Sequence, residues 1–234
     1  MSTIHLVVRH FAEITPAEES RLLALLTTAD EEGIARHPVL RRNQQLARAW
    51  RRELLAQALN VPSEQLLFEK EAHGKPYLAD QNISFNISHS QEAFAMVWCL
   101  KEIPLGIDIE DKSKKRKEQT LAARTFDASE MKAWQNSELT PNQAHEQWLK
   151  TWTRKEAVLK AHGLGIRLDL NTLNTENVDD TIAHPLLGDW QYKSFVLDEQ
   201  VVSVAWQNKE ELKLIFNYLR QNSSTPKRSL LTSS

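Results

Sequence analysis

Hydrophobic positions along the first half of the chain change period several times, and each change predicts an element. "TIHLVVRHF" (residues 3–11) is rich in β-branched and apolar side chains and reads as a first strand. "TPAEESRLLALLTTADEEG" reads as a helix, with Thr15 as N-cap, Pro16 at its first position and acids in its first turn. In "RRNQQLARAWRRELLAQALN" Leu46, Trp50, Leu54 and Ala58 recur every four residues on one face, with Arg41, Arg42, Arg48, Arg51 and Arg52 around it, the pattern of an amphipathic helix. "QLLFEKEAHGKPYL" is then a short strand entering a Gly-Lys-Pro turn. "ISFNISHS", "AFAMVWCL" and "LGIDIE" follow as short strands whose tight connections suggest antiparallel pairing.

The second half has a similar rhythm. "DASEMKAW" carries a capping-box pattern, Asp127 followed three residues later by Glu130. "TPNQAHEQWLKTWTRKEAVLKAHGLG" is a long helix with Thr140 as N-cap, Pro141 in its first turn and a glycine stop. "YKSFVLDEQVVSVAW" predicts a hairpin turning at "DE", "KEELKLIFNYLRQ" a last short helix, and "NSSTPKRSLLTSS" a disordered tail poor in core-forming residues. There is no tandem repeat of solenoid length.

Composition narrows the classes. With 234 residues, 41% hydrophobic and 26% charged, the chain has the balance of a soluble globular protein and can bury a sizeable core. A net charge of −2 gives no global attraction to nucleic acid or anionic membrane, so electrostatic recognition has to be local. The single cysteine, Cys99, lies in an apolar run and reads as a small buried hydrophobe. The N-terminus lacks the apolar core of a signal peptide, and no stretch approaches the ~18 apolar residues of a membrane span. The cytoplasm is the expected location.

Candidate chemistry centres on "GIDIED". In a strand, Ile107 and Ile109 point to one face while Asp108 and Glu110 project together from the other, about 7 Å apart at their Cα atoms. Such carboxylates are either solvated acids at a strand end or the two sides of a cation site, for which a hard ion such as Mg²⁺ is suited. Asp111 points the other way and is expected to be dispensable. Glu156 and Lys160 lie four apart on one helical face, in a row continuing back to Trp152 and Trp148. They are either a surface ion pair or, on an inward face, a third carboxylate and a phosphate-binding ammonium. Ser88 and His89 at a strand end could contact a phosphate or simply close a turn, and Lys75 sits in a rigid turn able to meet an anion. "KSKKRKEQ" is either a solvated loop or a surface for an acidic partner. Walker A, G-x-G-x-x-G and zinc spacings are absent.

"HGKPYL", "FNISHS", "GIDIE" and "WTRKEAVLKAHGLGI", in this order over about residues 73 to 166, resemble the signature of the Sfp-type 4′-phosphopantetheinyl transferases. The resemblance implies an α+β fold of two similar halves about a pseudo-twofold axis, with mostly antiparallel sheets and the active site between the halves. It divides the chain into residues 1–105, residues 106–221 with the magnesium site, and a tail of residues 222–234. The carrier-protein synthases of the same superfamily are shorter and work as trimers, so this chain is expected to be a monomer.

The activity implied is transfer of the 4′-phosphopantetheine arm of coenzyme A to a serine hydroxyl of an apo acyl or peptidyl carrier protein, releasing adenosine 3′,5′-bisphosphate. Fatty-acid, polyketide and nonribosomal-peptide carriers are the partner class, with neither nucleic acid nor membrane involved. The implied magnesium ligands are Asp108, Glu110 and Glu156. Lys160 is implied for the coenzyme A phosphates, Ser88 and His89 for its nucleotide phosphates, and Lys75 for the Gly-Lys-Pro turn contact. Asp108, Glu156 and Lys160 form the implied catalytic set, with Glu156 or a metal-bound water as base. Glu130 matches a family glutamate whose role is left open. Asn43 occupies a position where the family often has an arginine for the 3′-phosphate, so Arg42 or Arg41 is expected to substitute. The loop "KSKKRKEQTLAARTF" is the expected carrier surface. The competing readings are a Mg²⁺-dependent coenzyme A or nucleotide hydrolase and a non-catalytic carrier-binding protein.

Overall fold

Caps set the ends of the long helices. The computed structural model describes residues 2–114, 116–136, 138–163, 169–176, 180–207, 212–218 and 227–231. Its elements are β1 (Ser2–His10), α1 (Pro16–Leu23), α2 (Thr28–Glu31), α3 (Pro38–Leu59), β2 (Phe68–Lys70), β3 (Pro76–Leu78), β4 (Ser84–His89), β5 (Ala93–Cys99) and β6 (Leu105–Asp111). After them come α4 (Glu118–Thr125), α5 (Ala128–Gln135), α6 (Pro141–His162), β7 (Thr181–His184), β8 (Gly188–Val196), β9 (Gln200–Trp206), β10 (Leu212–Tyr218) and β11 (Lys227–Leu231). The Thr140 side chain accepts from the Gln143 amide to start α6, and Gly163 at φ 81° ends it in a left-handed conformation that glycine adopts without strain. Asp127 and Glu130 close the expected capping box on α5.

The strands form a sheet in the order β11-β10-β1-β5-β4, a second in the order β6-β9-β8-β7, and a small β2-β3 pair. The connectivity repeats. β1 pairs antiparallel with β5 and β5 with β4, with α3 between β1 and β4 in sequence. β6 pairs antiparallel with β9 and β9 with β8, with α6 between β6 and β8. The chain is thus an α+β protein of two similar halves. Each helix covers one face of its own sheet, and the other faces meet. Ile4, Leu6, Val8, Ala95 and Val97 pack there with Ile107, Ile109, Val202 and Val204. The alternate residues Phe94, Met96 and Trp98 turn to Leu46, Trp50 and Leu54 of α3, as period-two strand geometry requires.

Polar side chains of β4 bind β6 to the first sheet. Ser84 Oγ accepts from the Ile103 amide at 2.9 Å and Asn86 Oδ1 from the Ile107 amide at 3.0 Å. They satisfy backbone donors that no neighbouring strand reaches.

Several sequence expectations change. The helix predicted over residues 15–33 is two helices, because Thr27 and Asp30 form a capping box that restarts the chain. The last predicted helix is instead strand β10. Its Leu212, Leu214 and Phe216 are buried at period two, and it pairs in parallel with β1 over Ser2–Val8. The tail expected to be disordered supplies β11, which covers the open backbone edge of β10. β10 and β11, which the sequence reading assigns to the second half and the tail, belong to the first sheet. Among the described residues no helix is long and apolar enough to cross a membrane.

Asp111 faces away from Asp108 and Glu110 as expected, but it is buried. It accepts from Ser90 Oγ at 2.6 Å, the Gln91 and Glu92 amides at 2.9 and 3.2 Å, and Gln200 Nε2 at 3.1 Å. This carboxylate is an anchor between β6, β9 and the β4–β5 turn, so the expectation that it is dispensable is corrected. Asp111→Ala should lower unfolding free energy by about 2–4 kcal/mol, because four donors lose a buried acceptor. Urea denaturation measures this, and a loss below about 0.5 kcal/mol, the scale of a solvated surface change, would contradict the anchor.

Candidate functional site

Position 106 sets how closely α6 approaches β6. A Cβ on Gly106 would lie 2.1 Å from the Ala157 carbonyl oxygen and 2.4 Å from the Ala161 amide nitrogen. Glycine is needed there for close approach of two backbones. Small residues on the helix side, Ala157 and Ala161, complete the contact. Without it the helix could not bring Lys160 and Glu156 to the polar face of β6.

Asp108 is the centre of the resulting cluster and is 5% exposed. Its Oδ1 accepts from Lys160 Nζ at 2.6 Å and from Ser88 Oγ at 3.0 Å, while Lys160 Nζ also donates to Ser88 Oγ at 2.8 Å. Three elements, β4, β6 and α6, thereby meet at one carboxylate oxygen. The other oxygen, Oδ2, is buried without a hydrogen-bond partner. Glu110 pairs with Arg116 from the following loop. Burial pushes its carboxyl up, with the Asp108 charge adding and Arg116 and Lys114 opposing. Glu156 is pushed up to about 7, first by burial and then by Asp108 and Glu110, against Lys160 and Arg116. His89 is held below the ordinary histidine range by burial and by Lys160, with Asp108 opposing. Asp108, Glu110, Glu156, Ser88, His89 and Lys160 thus form one electrostatic unit. Behind it Trp148 and Trp152 stack at 5.6 Å.

Three sequence-predicted residues, Lys75, Arg42 and Arg41, are elsewhere. Lys75 donates to the Leu105 and Ala161 carbonyls, both at 3.2 Å, so its ammonium ties the Gly-Lys-Pro turn to β6 and the end of α6. Burial lowers its pKa, with Glu71 opposing. It lines an open cleft of about 1050 Å³ with Tyr77, Asn82, Ile103 and Trp190, apart from the carboxylates. Arg42 grips Glu19 through Nε at 2.9 Å and Nη2 at 2.5 Å, and Arg41 pairs with Glu31 at 2.9 Å. Neither arginine faces the cluster, and Asn43 donates to the Gln91 carbonyl at 3.1 Å.

A cavity of about 580 Å³ beside the cluster is lined instead by Arg48, Arg51, Lys70, Gly74, Ile87 and His89. Arg51 is largely buried, lies 3.7 Å over the Phe68 ring, pairs with Asp30 at 2.9 Å and keeps Nε without a partner. Sequence reasoning misses these cations, although periodicity holds the signal. Gln44, Arg48 and Arg51, four and three apart, share a face, whereas Arg42 is about 240° around the helix from Arg48. Glu130 and Lys155 form a fully buried ion pair at 2.5 Å that ties α5 to α6. Arg116, expected in a carrier-facing surface, is inward and paired with Glu110; Lys114 of that run is exposed. Lys115 lies outside the described residues.

The arrangement fits a hard cation by its chemistry. Burial and the neighbouring Asp108 charge raise the proton affinity of Glu110 and Glu156, and Asp108 offers an oxygen with no protein partner. Among the described residues no three such side chains enclose an ion as they stand, since Lys160 and Arg116 hold Asp108 and Glu110. The raised carboxyl at Glu156 fixes a pH dependence. Its folded pKa of about 7 exceeds the ordinary glutamate value of 4.5, so the native state binds the proton more tightly. Stability from this group is present below about pH 4.5 and is lost as pH rises through about 7. In chelator, the melting temperature should fall from pH 5 to pH 8, and Glu156→Gln should flatten that slope. An unchanged slope in the variant would contradict the assignment.

The residues match two family models, the 4′-phosphopantetheinyl transferase superfamily over residues 104–205 and the 4′-phosphopantetheinyl transferase N-terminal region over residues 14–99. A 4′-phosphopantetheinyl transferase, gsp, of Aneurinibacillus migulanus is 38% identical over 121 residues, covering 52% of this chain and 48% of the relative. The 4′-phosphopantetheinyl transferase HetI of a Nostoc species is 34% identical over 158 residues, 63% of this chain and 65% of the relative. A Synechocystis protein provisionally given the same activity is 31% identical over 182 residues, 72% of this chain and 73% of the relative. The match to gsp spans about half that protein's length. Two adjoining family matches, a relative aligned over most of both chains, and the cluster of "GIDIE" with Glu156 and Lys160 together show that this chain belongs to the 4′-phosphopantetheinyl transferase superfamily.

Proposed function

We propose that the chain transfers the 4′-phosphopantetheine arm of coenzyme A to a serine hydroxyl of an apo acyl or peptidyl carrier protein, with Mg²⁺, as a cytoplasmic monomer. The observation that carries this reading is the meeting of Lys160, Ser88 and an unpartnered Asp108 oxygen beside two more carboxylates of raised proton affinity. A buried anionic cluster of this kind is unstable alone and is neutralised by a divalent ion and a phosphate-binding cation.

In this reading Asp108, Glu110 and Glu156 would hold Mg²⁺, which would supply charge neutralisation at the pyrophosphate of coenzyme A. Lys160 swings from Asp108 to a phosphate oxygen and stabilises the charge that develops on the leaving group. Ser88 Oγ donates to the same phosphates. Arg48 and Arg51 give the adjoining cavity the positive charge that the nucleotide phosphates need, in place of Arg42, and His89 lines it as a neutral hydrogen-bonding ring. The serine oxygen of the carrier forms a bond to the phosphorus bearing the pantetheine arm, the bond to adenosine 3′,5′-bisphosphate breaks, and the serine proton passes to a base. Glu156 is the candidate base, and a bound divalent ion would lower the proton affinity that burial and the neighbouring carboxylates give it. Lys75, anchored on carbonyls, sets the turn that borders the cavity. Exposed Lys114 and Lys117 offer positive charge to an acidic carrier.

Incubation with coenzyme A, Mg²⁺ and an apo carrier, read by intact mass, tests this. The carrier should gain one phosphopantetheine arm, and Asp108→Ala or chelation should cut the rate by roughly a hundredfold or more. Charge reversal at Lys114 and Lys117 should raise the KM for carrier and not that for coenzyme A. No gain on fatty-acid, polyketide or peptide carriers, or release of free phosphopantetheine instead, would overturn the reading.

A further inference from the structure

The carboxylate cluster contains a cation of the chain's own. Arg116 reaches it from the loop after β6, and its Nη2 sits on Glu110 Oε2 with the side chain 17% exposed. The guanidinium lies 5.9 and 5.7 Å from the ring centres of Trp148 and Trp152, so the stacked indoles form a platform for it. Its Nε is buried without a hydrogen-bond partner. Charge and stacking therefore hold this side chain, while its donor set is incomplete, and that incompleteness carries a cost. The surrounding loop is fastened separately. His145 meets the Lys112 carbonyl at 2.9 Å and Glu118 at 2.5 Å, and Lys112 pairs with Glu146 at 3.2 Å. Arg116 can leave Glu110 without releasing the loop that carries it.

A guanidinium and a divalent cation cannot share Glu110 at low cost. Two cations about 4 Å apart repel each other strongly in a partly buried site, where water screens them little. We propose that Arg116 is a displaceable counter-cation, which neutralises Glu110 when the divalent ion is absent and competes with that ion for the same carboxylate. This rests on reading Asp108, Glu110 and Glu156 as the metal ligands. The competition sets the metal affinity of the free protein, so that the site fills only where Mg²⁺ is abundant or arrives with an anionic ligand whose charge also draws Arg116 away.

Calorimetric titration of MgCl₂ alone into the full chain, without coenzyme A, tests the proposal in the wild type, Arg116→Gln, Arg116→Lys and Asp108→Asn. Arg116→Gln should bind Mg²⁺ about tenfold more tightly than the wild type, the scale of one partly buried ion pair. Arg116→Lys keeps a cation at the site and should stay within about threefold of the wild type on the same scale. In chelator, Arg116→Gln should melt below the wild type, and saturating Mg²⁺ should close the gap. If Arg116→Gln binds Mg²⁺ no more tightly than the wild type while Asp108→Asn abolishes binding, the counter-cation is overturned and the metal site stands. Equal tightening in Arg116→Lys and Arg116→Gln would also overturn it, because charge would not be the cause. If neither the wild type nor Arg116→Gln binds Mg²⁺, the metal reading itself falls, and this proposal with it.

Discussion

The tight contact of α6 on β6 at Gly106 is the constraint on which the site depends. Any side chain at that position would overlap helix backbone, since its Cβ would stand 2.1 Å from the Ala157 oxygen. The contact brings a helix with Glu156 and Lys160 down onto a strand with Asp108 and Glu110. It concentrates three carboxylates in a partly buried space, and burial together with mutual repulsion pushes Glu156 up to about 7. The arrangement stays folded because Lys160 and Arg116 stand among the acids. Electrostatic tension at this place is the direct result of a packing choice at one glycine.

The rest of the fold holds that contact in register. Side chains of β4 take the place of a missing strand along β6, with Asn86 on the Ile107 amide and Ser88 on Asp108. Polar groups from the first half thus reach into the second, and the cluster lies at their seam. Asp111 locks the far end of β6 to the β4–β5 turn and to β9. Lys155 and Glu130, both fully buried, fix α6 against α5 one residue before Glu156. Return of the chain through β10 to β1 closes the first sheet around the second half's sequence.

What can be read from sequence is mostly local. Caps at Thr140 and Gly163, the four-residue row on α3 and the alternation of Asp108 and Glu110 are patterns within one element, and the structure reproduces them. Proximity of Lys160 and Ser88 to Asp108 is suggested by family likeness and is present as hydrogen bonds. The misreadings share a different cause. β10 reads as a helix because helix-forming residues precede it, while its partner β1 lies at the other end of the chain. Arg42 and Lys75 look available in sequence because their partners, Glu19 and two backbone carbonyls, come together only in three dimensions. Asp111 looks dispensable for the same reason. Arg48 and Arg51 are legible in principle, since they share a helical face with Gln44, but which face borders the cavity is set by tertiary packing.

If Asp108, Glu110 and Glu156 form one divalent-metal site brought together by the contact at Gly106, a bound ion should be visible there. Crystals grown with coenzyme A and Mn²⁺, measured at the manganese absorption edge, test this most directly. One anomalous peak is expected within about 2.3 Å of carboxylate oxygens from these residues, against the coenzyme pyrophosphate, with Lys160 drawn off Asp108. Coenzyme A bound without that peak, or a peak coordinated by other side chains while Lys160 remains on Asp108, would contradict it.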